Sequence, residues 1–203
     1  MHLIEQSLIN AGLAPIAGVD EAGRGACAGP LIIASVILKD LNSPKLSSLR
    51  DSKELTEKER EVLFPIIYEE ALSISVIEVS PNEIDKRGVH AANLDGMRRA
   101  VQALNVAPNY VLTDGHAIDG MVMPSLAIWK GDQVAPSISA ASIIAKVTRD
   151  RIMVELDNKF PGYGLAKHKG YITALHTKAL EKLGVSDIHR KSYSNIAKLI
   201  PVE

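Results

Sequence analysis

Groups that bind cations and groups that bind phosphate stand within a short stretch of chain at Gly18-Val19-Asp20-Glu21-Ala22-Gly23-Arg24-Gly25. Two adjacent carboxylates end an apolar run that contains Ile16, Ala17 and Val19. Carboxylate oxygens suit a hard divalent cation such as Mg²⁺ or Mn²⁺. The Gly23-Arg24-Gly25 run lets backbone approach a ligand closely, and the arginine fork matches phosphate. Its amides and guanidinium suit a phosphate or a sugar hydroxyl. The same run also fits a plain tight turn between two strands. Side by side, the two kinds of group point to phosphodiester chemistry.

Two more carboxylates follow short apolar runs: Asp114 in Asp114-Gly115, and Asp132 in Lys130-Gly131-Asp132. Strand ends on one edge of a sheet bring distant residues together, and ligand crevices form there. Carboxylates that meet in this way repel one another and resist ionising. Divalent cations remove that penalty, and two of them about 3.5–4 Å apart activate water and stabilise the leaving oxygen of a phosphodiester. Neighbours on a regular strand face opposite ways. Asp20 and Glu21 therefore share a site only if the strand ends or distorts there. Taken singly, the pair also fits two exposed charges, and Asp114 or Asp132 a turn residue. Asp119 and Asp150 read as solvated or capping residues.

Other side chains could serve the same chemistry. Lys53, in the polar segment Asp51-Ser52-Lys53, could reach a phosphate. Tyr163 lies between two glycines after a proline, with Lys167, His168 and Lys169 close behind. An exposed ring beside cations suits stacking on a sugar or base, and a tyrosine wedged between helices is the alternative. His116 could shuttle a proton. His189-Arg190-Lys191 adds a basic contact or opens a solvated helix. Cys27, the only cysteine, reads as a small buried side chain.

The elements that must position these groups follow from the pattern. The 203 residues fit one domain, 1–203, and 46% hydrophobic content suffices for a core. Strands are expected over 15–21, 31–38, 73–79, 110–113 and 125–129. A helix should start at the capping box Thr56-Glu57-Lys58-Glu59 and run to about Leu72, bent or split by Pro65. Further helices are expected over 81–86, 90–104, 136–156, 170–183 and 192–199. Strands come mostly first and helices gather late, so the fold class is α/β, one mixed sheet flanked by helices. No apolar run is long enough to span a bilayer. No secretory signal is visible and a single cysteine suits a reducing compartment, so a cytoplasmic location is expected. Net charge is −1, yet residues 1–129 carry −6 and residues 130–203 carry +5. A basic C-terminal third suits a polyanion lying along one face, and a solvated helical surface explains it equally well.

Together these segments resemble ribonuclease HII, the type 2 ribonuclease H family, over nearly the whole chain. The first run resembles the family's opening motif, with Gly29-Pro30 following. Asp51-Ser52-Lys53, Thr113-Asp114-Gly115, Lys130-Gly131-Asp132, the stretch from Ser139 to Asp150, Phe160-Pro161-Gly162-Tyr163-Gly164 and His189-Arg190-Lys191-Ser192-Tyr193 match later segments in order. The resemblance implies a ribonuclease H-like fold with a central mixed sheet and a helical C-terminal portion. It implies an endonuclease that hydrolyses RNA in RNA–DNA hybrids and incises at single ribonucleotides embedded in duplex DNA, leaving a 3′-hydroxyl and a 5′-phosphate. By motif position Asp20, Glu21, Asp114 and Asp132 would be the catalytic, metal-holding carboxylates, with two Mn²⁺ or Mg²⁺ ions. Gly23, Arg24 and Gly25 would detect the 2′-hydroxyl, and Tyr163 would stack on the next sugar. Thr113 and His116 depart from the general pattern. A bacterial, monomeric enzyme is implied, and contact with a replication clamp leaves no readable signal.

Two rivals stay open at this stage. An actin-like or sugar-kinase ATPase also begins with a strand, an acidic residue and a glycine-rich hairpin, but needs a second domain of that kind. A non-catalytic nucleic-acid-binding module explains Arg24, Lys53 and the basic third, but not carboxylates gathered where phosphate must approach.

Overall fold

The computed structural model describes residues 3–49, 52 and 54–200. Five strands form one sheet: β1 (Ile16–Ala22), β2 (Leu31–Leu38), β3 (Ala71–Val79), β4 (Tyr110–Asp114) and β5 (Ser125–Ile128), in the order β3-β2-β1-β4-β5. The strands β1, β2 and β3 pair antiparallel, whereas β1, β4 and β5 run parallel. The sheet is therefore mixed, with the switch at β1. The helices are α1 (Leu3–Asn10), α2 (Glu57–Glu70), α3 (Pro81–Arg87), α4 (Val89–Gln102), α5 (Pro136–Lys159), α6 (Leu165–His168), α7 (Ala174–Leu183) and α8 (Ser194–Ala197).

Strand alternation sorts the core into two faces. On β2, every residue is buried. Ile32, Ala34, Val36 and Leu38 face α2 and α5, while Leu31, Ile33 and Ile37 face Ile84 of α3 and Met97 and Val101 of α4. A strand covered on both sides reads as one continuous apolar run, which is the pattern of this segment. A third apolar cluster lies apart from the sheet, where Met153 of α5 meets Tyr163, Leu165, Leu180 and Ile196.

The long helix α5 sits close against β1. A Cβ at Gly18 would fall 2.1 Å from the Ser137 carbonyl carbon, so only glycine permits the contact. No side chain of its own caps this helix at Ala135. Glu5 from α1 does so instead, accepting from the Ser137 amide at 3.1 Å and from the Ser137 hydroxyl. Burial of Glu5 pushes its carboxyl above the usual range.

All five expected strands are present, and most helices as well. Pro65 does not split α2, which runs unbroken through it. The helix expected over 170–183 starts only at Ala174, as α7, because Lys169 and Gly170 both take positive φ, and Thr173 caps it by accepting from the His176 amide at 3.2 Å; the short helix α6 ahead of that break was not expected. Helix α1 was not expected; its Ile4, Leu8 and Ile9 pack on Ile16, Leu112 and Ile138. Among the described residues no helix is long and apolar enough to cross a membrane.

Candidate active site

Three parallel strands deliver three carboxylates to one edge. Asp20 lies near the carboxyl end of β1, Asp114 is the last residue of β4, and Asp132 follows β5 in a short 3₁₀ turn, Gly131–Gln133. The pairing of β1 with β4 stops at Val19 opposite Thr113, so Asp20 and Asp114 are the next residues on adjoining strands. One oxygen from each of Asp20, Asp114 and Asp132 lies within 4.8 Å of the others. Glu21 stands beside this trio and lines the same cleft without joining the set. Beyond Val19, β1 keeps β2 as partner but leaves β4. This parting opens space beside Asp20 without breaking the strand.

The electrostatics of the trio favour a cation. Burial, then the charges of Glu21 and Asp114, push the Asp20 carboxyl well above the ordinary carboxylate range. The Glu21 amide donates to Asp20 Oδ1 at 2.7 Å, and the Gly131 amide donates to Asp114 Oδ1 at 2.7 Å. Those bonds fix the carboxylates without neutralising them. An all-oxygen, all-carboxylate donor set fits Mg²⁺ or Mn²⁺ rather than a softer ion.

Around Asp20 the cleft of about 240 Å³ holds residues that sequence reading passed over. The Ser142 hydroxyl bonds Asp20, and Ser142 and Ser52 share a hydrogen bond of 2.7 Å. Lys146, one turn further along α5, points into the same cleft and donates to Asp150 at 2.7 Å. Asp150 is thus no solvated residue: it is buried between Lys146 and Arg60. The signal was present in the spacing of Ser142, Lys146 and Asp150, four apart on one helix face. Lys53 lies outside the described residues.

The glycine-arginine-glycine loop is held from below. Gly23 has φ +92°, and a Cβ there would overlap the Arg149 side chain. Arg149 donates to the carbonyls of Pro30 (3.0 Å), Ala28 (3.2 Å) and Lys169 (2.9 Å). Arg190 donates to those of Gly29 (3.1 and 3.0 Å) and Arg24 (3.0 Å), and the Tyr193 hydroxyl also reaches Arg24. Both arginines are fully buried, so the His189-Arg190-Lys191 segment anchors the loop from inside and its arginine is no surface contact. Burial pulls Arg149 down to about 10, which leaves it charged at neutral pH. The Arg24 guanidinium meets His116 Nε2, while Gly25 lies exposed at the rim. Burial and the Arg24 charge lower the His116 pKa.

Tyr163 is not at the cleft. It is 6% exposed, its hydroxyl donates to the Gly184 carbonyl at 3.0 Å, and its ring packs against His189 at 5.1 Å. The turn at Pro161-Gly162 feeds the ring into the third apolar cluster instead of presenting it to solvent. Tyr171, eight residues later, is 42% exposed and lines the cleft beside Gly25. Cys27 is buried, as expected.

Comparison with known proteins agrees with this geometry. The sequence profile of the family Ribonuclease HII matches residues 17–196. A ribonuclease HII from Mycobacteroides abscessus is 54% identical over 196 residues, covering 97% of this chain and 84% of the relative. The crystal structure of ribonuclease H2 from Pyrococcus horikoshii superposes with a TM-score of 0.78 at 30% identity, over 91% of this chain and 96% of that one. A ribonuclease HII from Archaeoglobus fulgidus, solved in complex with PCNA, gives 0.75 at 27% identity, over 88% and 95%. The chain belongs to the ribonuclease HII family, endoribonucleases that hydrolyse RNA in RNA–DNA hybrids.

Proposed function

We propose that this enzyme, besides cutting RNA in hybrids, incises duplex DNA 5′ of single embedded ribonucleotides and leaves a 3′-hydroxyl and a 5′-phosphate. The observation that carries the reading is the convergence of Asp20, Asp114 and Asp132 beside the clamped Gly23–Gly25 loop. Asp20, Asp114 and Asp132, with Glu21 alongside, would hold two Mn²⁺ or Mg²⁺ ions. When bound, such ions lower the pKa of water and offset charge on the phosphate.

The protein's own groups do the selecting. The 2′-hydroxyl is the group that tells RNA from DNA at one site. Amides of the Gly23–Gly25 loop meet it without a side chain in the way, and Arg24 takes a neighbouring phosphate oxygen. Lys146, fixed by Asp150, supplies a second cation to the backbone, and Lys53 would add a third. Tyr171 takes the stacking role against the adjacent sugar.

The test is a labelled DNA duplex containing one ribonucleotide, incubated with and without divalent cation. A single metal-dependent cut on the 5′ side of the ribonucleotide is expected. Cutting of hybrids with no cutting of this duplex would restrict the enzyme to RNA runs. Cutting in EDTA would remove the metal from the reading.

A further inference from the structure

The carboxylates are flanked by two clefts, and only one of them is used above. The first contains Ser142, Lys146 and Tyr171. The second, about 530 Å³, is lined by His116, Trp129, Lys130 and Asp132. Glu21, Arg24 and Asp114 border both, so the two form one trough with the acidic trio at its waist. A strand whose scissile phosphate lies at the waist must occupy both ends.

Trp129 is the only tryptophan of the chain and is 82% exposed. A single exposed apolar residue is ordinary; its position and support are not. The backbone on either side of it is tied to the site. The Ile128 carbonyl accepts from the Gly115 amide at 2.9 Å, and the Gly131 amide donates to Asp114 at 2.7 Å. Between them Lys130 takes a left-handed conformation, φ 55°, and is exposed. Trp129 is thus carried at the trough wall on a fixed backbone, and Lys130 and Arg24 line the same cleft. An aromatic face next to cations along a groove is the physical signature of a strand-tracking surface.

We propose that Trp129 and Lys130 form a second nucleotide subsite, in which the indole stacks on a base or sugar of the cut strand on the side of the scissile phosphate opposite Tyr171. The subsite rests on the nuclease reading given above. It makes the enzyme grip the strand on both sides of the cut, with one aromatic ring on each side.

The sole tryptophan reports on its own contact. Wild-type enzyme in EDTA is titrated with a short DNA duplex carrying one ribonucleotide, and intrinsic fluorescence is read against an independent binding signal from a labelled strand. Saturable quenching that follows binding is expected. In the cleavage assay Trp129→Ala should raise KM about tenfold with kcat kept within about twofold, and Trp129→Phe should recover most of the loss. On a duplex made abasic at one flanking nucleotide, the Trp129→Ala penalty should vanish for one flank and persist for the other. Binding without a fluorescence change, together with an unchanged KM in Trp129→Ala, overturns the subsite. The two readings fail separately. Quenching on binding with no cleavage of this duplex by wild type keeps the subsite and sinks incision at single ribonucleotides. Normal cleavage with no effect at Trp129 does the reverse.

Discussion

Arg190 reaches back across 166 residues of sequence to donate from Nη1 to the Arg24 carbonyl at 3.0 Å. The same guanidinium holds the Gly29 carbonyl through Nε and Nη2. One buried side chain therefore grips both ends of the segment that starts at the glycine-arginine-glycine loop. Buried arginine without a carboxylate partner is costly unless its donors are satisfied, and here backbone carbonyls and the Tyr193 hydroxyl satisfy them.

Arg190→Lys keeps the charge and loses the fork. We expect a stability loss of about 2 kcal/mol from the missing hydrogen bonds. We also expect roughly tenfold slower cleavage at a single ribonucleotide, because the loop is no longer fixed. Thermal unfolding and single-turnover cleavage read the two effects. A variant that is less stable but cuts at the wild-type rate would show that the clamp serves folding alone.

Asp20→Asn should reduce cleavage by more than about a hundredfold, yet leave the fold intact or more stable in EDTA, since a buried like charge is gone. Wild type should gain stability when Mn²⁺ or Mg²⁺ is added, about 2.7 kcal/mol at a hundred times Kd, and the variant should gain much less. Melting temperatures with and without the ion decide it. Equal gains in both proteins would place the cation elsewhere.

Tyr171 and Tyr163 should separate cleanly. Tyr171→Ala removes a half-exposed ring at the cleft, so cleavage falls while the melting temperature barely moves. Tyr163→Phe deletes only the hydroxyl that bonds Gly184, at a cost of about 1 kcal/mol, and cleavage stays as in wild type.

Stability should depend on pH through His189. It is 1% exposed, its Nε2 lies 3.1 Å from His176 Nε2, and His176 stacks on His168 at 4.3 Å. Burial and His176 lower its pKa from 6.5 to about 4. The unfolded chain thus takes up this proton near pH 6.5 and the folded one only near 4. Stability is full above the upper value and declines as pH falls through that window, by up to about 1.4 kcal/mol per pH unit. Urea midpoints between pH 7.5 and 4.5 should follow that slope, and His189→Gln should flatten it.

Much of the site is legible in the sequence because it depends on strand ends. Asp20, Asp114 and Asp132 follow apolar runs that become parallel neighbours, and a strand announces itself through β-branched residues and the glycines after it. Tyr163 stays open between an exposed and a wedged ring in the sequence because local punctuation, a proline and two glycines, says that the chain turns but not which way the ring goes. Tertiary packing against His189 decides that. The helix face of Ser142, Lys146 and Asp150 is hard to see because α5 is buried on every side from Pro136 to Ala145, which leaves no amphipathic stripe there to mark a working side. Arg149 and Arg190 look like surface cations in composition, and only the fold turns them into internal fasteners. Helix α1 escaped notice because eight residues carry too little period to stand out.

The order in which the ribosome releases the chain now has a meaning. Asp20 emerges early, but its partners at 114 and 132 are made much later, and Arg190, which steadies the loop beside it, later still. A half-made polypeptide has neither the acidic trio nor the clamp. The acidic trio and its loop clamp are therefore products of the whole fold, closed only when segments far apart in sequence have packed against one another.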